Sequence, residues 1–145
     1  MASANFTSLS DKLARGGINF GADTFKVLLV SAMPNATQLD AWANRSDVTT
    51  EITGTGYTAG GVEVTGAVLS TSTSGPTAGT VYVNFDNVSW PGANFIARGA
   101  LIYNVTQGNK SVAVLDFGSD KTFSSTNNTV TMPANTATTA LIRFP

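Results

Sequence analysis

Apolar residues alternate with polar ones in short runs along this chain, and Gly, Pro or Asn turn signals close each run. A period of two is the period of a strand, whose successive side chains leave on opposite faces. In residues 24–31 (TFKVLLVS), Phe25, Val27 and Leu29 point one way and Lys26, Leu28 and Val30 the other. Both sets become apolar, so this strand is expected to be buried on both faces for part of its length. Residues 80–90 put Val81, Val83 and Phe85 on one face. Val88 and Trp90 fall on the opposite parity, so a bend near Asn87 is needed to turn them inward.

The same pattern continues. Residues 62–73 read as a long strand with an irregularity at Gly66. Residues 97–106 place Leu101, Tyr103 and Val105 opposite Ala100 and Ile102, and Gln107-Gly108-Asn109-Lys110 reads as a hairpin turn into residues 111–117. Residues 118–128 read as a polar loop, followed by short strands at 129–132 and 138–144. Turns recur every roughly 8–12 residues, giving about seven or eight strands, a sandwich or barrel signal. No helical pattern lies between the later strands, so parallel βαβ units are not expected.

Two segments depart from period two. Phe6, Leu9 and Leu13 fall on one helical face, with Lys12 and Arg15 after them and Gly16-Gly17 as a stop. That predicts a short N-terminal helix or arm over residues 1–17, packed on its own domain or docked on a neighbour. Leu39, Trp42 and Ala43 suggest a further helical turn. The expectation is mainly β: an antiparallel β-sandwich or jelly-roll-like barrel with a short N-terminal helix, one domain over residues 1–145. Sandwich and barrel share the same alternation and stay open at this stage.

Composition bears on chemistry. The chain has no His and no Cys, and only 12% of its residues are charged. The commonest catalytic base and metal ligand are therefore missing, as is the thiolate nucleophile. Net charge is −1, and Lys12, Lys26, Lys110, Lys121, Arg15, Arg45, Arg98 and Arg143 are scattered rather than striped. Nucleic-acid binding is not expected. The start, MASANFTSLSDKLARGG, lacks a basic region followed by an apolar one, and no run approaches the roughly 20 residues of a membrane span.

Residues 51–61 (EITGTGYTAGG) form the most distinctive loop, with Gly54, Gly56, Gly60 and Gly61 close together. No Gly-Lys-Ser/Thr follows, and the spacing is not that of a dinucleotide fingerprint. A shaped loop anchored by Tyr57 is the expectation. For catalysis, Asp86 and Asp116 are the remaining carboxylate pair, although strand acids of this kind are more often solvated or paired with an arginine such as Arg98. Asp116 and Asp120 flank a glycine turn but offer too few oxygens for a calcium site. Asp116-Phe117-Gly118 spells a kinase triplet with no other part of a kinase present. No enzyme activity, cofactor or metal is expected.

In order, TFKVLLVSA, SDVTTEITGTGYTAGGVEVTG, VNFDNVSWPG, ARGALIYN and LDFGSDK resemble a group of small virion proteins of tailed bacteriophages. The likeness runs from about Phe6 to Lys121. It implies a non-enzymatic capsid cement or decoration protein, made in the host cytoplasm and placed on the capsid exterior. Its partners would be the major capsid protein and further copies of itself, as a dimer or trimer. Phe6, Leu9, Leu13, Tyr57 and Trp42 are the candidate contact residues, together with exposed strand edges. A tail, fibre or baseplate component is the alternative. So is a carbohydrate-binding module stacking a sugar on Trp42, Trp90 or Tyr57, against which core packing weighs most for Trp90.

Overall fold

The computed structural model describes residues 2–6 and 16–144. Its strands, in chain order, are β1 (Ala2–Asn5), β2 (Phe25–Val30), β3 (Val62–Val64), β4 (Val68–Thr71), β5 (Val81–Asn84), β6 (Val88–Ser89), β7 (Phe95–Asn104), β8 (Lys110–Phe123), β9 (Thr129–Val130) and β10 (Ile142–Phe144). One α-helix, α1 (Ala36–Ala41), follows β2. A capping box starts it: Asn35 Oδ1 accepts from Gln38 N–H at 2.9 Å, and Gln38 Oε1 accepts from Asn35 N–H at 3.0 Å.

Every strand pairing is antiparallel. A five-stranded sheet has the order β1-β8-β7-β2-β3, a three-stranded sheet β10-β5-β4, and β6 pairs with β9. The sheets stack as a sandwich, and none closes into a barrel. Between them lies the main core, in which Phe25, Val27, Leu29, Ala100, Ile102 and Leu115 of the large sheet meet Val83, Phe85, Trp90 and Ile142. The opposite face of the large sheet is covered too: Leu28, Val30, Leu101, Tyr103 and Val114 pack with Phe6 and Trp42, flanked by Leu39 and Val48. β2 is thus buried on both faces, as its double apolar pattern predicts.

The predicted irregularities have structural work. At Gly66 the chain changes sheets, leaving β3 in the large sheet and entering β4 in the small one. Gly66 sits at φ +69°, and an added Cβ would run into the Asp86 carboxylate, so the corner needs glycine. After β5 the ladder breaks over residues 85–87. That break turns Val88 and Trp90 inward, and Trp90 is the largest fully buried side chain, edge-on to Phe123 at 5.9 Å.

Three expectations need correction. Residues 118–128 are not one loop: β8 continues to Phe123. Ala97 pairs with Lys121 and Gly99 with Asp116, so residues 117–120 bulge out opposite Arg98 and the strand then resumes. Of the region read as an N-terminal helix or arm, residues 2–5 form β1 on β8, and Phe6 N–H extends that pairing to Val112 C=O at 3.2 Å. The rest of that helix, with Leu9 and Leu13, lies outside the described residues. The last strand is short, because residues 135–141 are turns.

Candidate interaction surface

The glycine loop is built around Glu51 and Tyr57. β3 pairs with β2 only over Phe25, Lys26 and Val27, which leaves the next backbone groups of β2 on that side without a strand partner. Ile52 N–H donates to Leu29 C=O at 3.0 Å, and the Tyr57 hydroxyl accepts from Leu29 N–H at 3.1 Å. The same hydroxyl donates to Glu51 Oε1 at 2.8 Å, which also accepts from Gly60 N–H at 2.5 Å. Arg45 Nη2 lies 3.2 Å from Glu51 Oε2, and the Tyr103 hydroxyl donates to Gly60 C=O at 2.6 Å. Burial, with the Glu51 carboxylate beside it, pushes the Tyr57 phenol well above its ordinary value, so it stays protonated. The loop has the Tyr57-anchored shape its sequence predicts, and the ring packs edge-on to Phe95 at 5.6 Å.

The carboxylates weighed for catalysis are held separately. Asp116, on β8, accepts from Gly118 N–H at 2.8 Å and from Arg98 Nε at 3.0 Å. Those two bonds hold its carboxyl below the usual carboxylate range. Pairing with Arg98 was the structural alternative to a catalytic role. Asp86 follows β5 of the small sheet and accepts from the Thr65 hydroxyl at 3.4 Å. Asp120 is exposed on the bulge. Among the described residues, no group of three or more His, Cys, Asp or Glu side chains gathers around a point that could hold a metal.

The candidate contact residues have different fates. Phe6 is 1% exposed and Trp42 4% exposed, both in the core on the outer side of the large sheet. Trp90 is also core, so neither indole ring offers a face on which to stack a sugar. Tyr57 is half-buried by its loop. These residues are not gathered into one patch.

Among the described residues three large apolar side chains are exposed: Ile96 stands by itself on β7, and Val68 and Leu69 are neighbours on the small sheet. Val68 and Leu69 of β4 are 48% and 61% exposed. The β4–β5–β10 registers put Leu69, Val83 and Ile142 on one face with Thr71, Val81 and Phe144. Val83 and Ile142 are covered by the core, while Leu69, Val81 and Phe144 line a hollow of about 520 Å³ with Ile18 and Phe20. Sequence reasoning named strand edges but not this one. The signal was available: no charged residue occurs from residue 64 to residue 85, and Val68-Leu69 puts two large apolar side chains in succession within that stretch. Comparison with protein-family models, with curated proteins and with solved structures gives no match.

Proposed function

We propose that this chain is a non-enzymatic structural protein of a tailed-bacteriophage particle, a cement protein that binds the assembled major capsid protein on the exterior of the head. The resemblance of its sequence runs to small virion proteins supports the particle. The observation that carries adhesion over catalysis is the contrast between its polar and apolar groups. Glu51 and Asp116 are tied into the chain's own hydrogen bonds. Among the described residues, an uncharged strand edge stands open beside an apolar hollow. Such a surface offers apolar area to bury and backbone groups to pair.

The mechanism is linkage. A protein that binds the assembled shell and not its free subunits shifts the equilibrium against disassembly. On a repeating lattice each contact can be weak, because many copies act together. Virus particles that lack this chain are expected to release their genome at a lower temperature, read by dye uptake during heating, and to recover when purified protein is added. Unchanged release with and without the protein would contradict the cement role.

A further inference from the structure

β4 is the outermost strand of its sheet, and no hydrogen bond reaches its outer edge from the described residues. The ladder shows which groups are free. Ser72 N–H donates to Thr80 C=O at 2.9 Å, one step beyond the register that pairs Ser70 with Tyr82 and Val68 with Asn84. Backbone groups of an antiparallel strand turn alternately to its two sides. Val68 and Ser70 therefore face β5, and Leu69 and Thr71 turn their N–H and C=O groups outward.

Natural edges are commonly guarded by charge, proline or a bulge. β3 carries Glu63 and β10 carries Arg143, whereas β4, like β1 at the far edge of the large sheet, has neither a charge nor a proline. Of its exposed side chains, Val68 and Leu69 are apolar and Thr71 is uncharged, and Leu69 overhangs the hollow lined by Ile18, Phe20, Val81 and Phe144.

We propose that a second copy of this chain pairs antiparallel with the outer edge of β4, across a two-fold axis between the two Ser70 residues, joining two three-stranded sheets into one of six strands. A two-fold contact sets a patch against itself, so a charge in it meets its like. An uncharged edge removes that repulsion and suits a second copy. In this register Leu69 of one copy and Thr71 of the other form a hydrogen-bonded pair, twice over, and these are the residues whose backbone groups face outward. Ser70 meets Ser70 as the close, non-hydrogen-bonded pair. The two Leu69 side chains lie diagonally across the axis on one face, within reach of each other, and the two hollows become neighbours. A ladder this short is a small contact, so the dimer belongs to the weak, concentration-dependent class.

This inference does not depend on the particle reading, because its test uses purified protein alone. Sedimentation velocity over a concentration series should show a monomer–dimer equilibrium. Ser70→Asp and Ser70→Lys should each weaken it by about fivefold, the effect of like charges placed directly opposite, and an equimolar mixture of the two should restore it. In the unmodified chain, the Leu69 and Thr71 amides should gain protection from hydrogen exchange as concentration rises. That second readout decides the matter if a variant does not fold. A monomer at every concentration overturns the proposal. So does a dimer indifferent to both charge variants, or one that leaves the Leu69 and Thr71 amides unprotected.

Discussion

Tyr57 shows how one side chain can finish a strand. Its hydroxyl stands where β3 has ended, accepting from Leu29 N–H and donating to the Glu51 carboxylate. Tyr57→Phe keeps the ring against Phe95 but leaves the buried Leu29 amide without an acceptor. Urea denaturation should show a loss of about 1–3 kcal/mol, the cost of an unsatisfied buried donor. Asp116 makes a pH-dependent contribution of known sign. Its folded carboxyl sits below the ordinary value because of Gly118 N–H and Arg98, so it stabilises the fold above the unfolded value of about 3.9. That contribution is lost as pH falls through the folded value. Asp116→Asn should therefore be less stable than the parent at neutral pH, by at most about 1 kcal/mol for so exposed a pair. The gap should close below about pH 4 in pH-resolved thermal melts.

At the scale of elements, the sequence is most legible where side-chain parity changes. The double apolar pattern of residues 24–31 announces a strand covered on both sides, and the switch from Phe85 to Val88 and Trp90 announces the break between β5 and β6. The bulge at residues 117–120 is harder to read, because Gly118, Ser119 and Asp120 look like the start of a loop. Only the pairing of Lys121 and Phe123 with Ala97 and Phe95 shows the strand resuming, and that is a long-range fact. Gly66 was legible as an irregularity but not as a change of sheet, since sheet membership depends on which partners each half finds. Gly61 carries the tightest local constraint: at φ +74°, an added Cβ would run into the Val27 carbonyl where the loop crosses β2. Gly61→Ala should cost roughly 2–4 kcal/mol, combining backbone strain with overpacking. A calorimetric melt would check this, and a loss below about 1 kcal/mol would mean the loop can lift away from β2.

At the scale of the whole molecule, two cores share one large sheet. One lies under the small sheets and one under α1, Phe6 and Trp42. The second explains why two residues read as contacts are interior: apolar residues isolated in polar segments are as well suited to capping the far side of a sheet as to meeting a partner. The lack of His and Cys bears on chemistry from composition alone, but residue identity does not locate the open surface. It depended on which strand was left at the edge. Among the described residues, the fold leaves open an uncharged β4 edge beside an apolar hollow.

The proposed cement role requires this chain to cover a particle in many copies. Quantitative mass spectrometry of purified virus particles counts those copies. In that role the chain is expected in numbers comparable to the major capsid protein. Its absence from the particle, or its presence in only the handful of copies expected of a tail component, would contradict it.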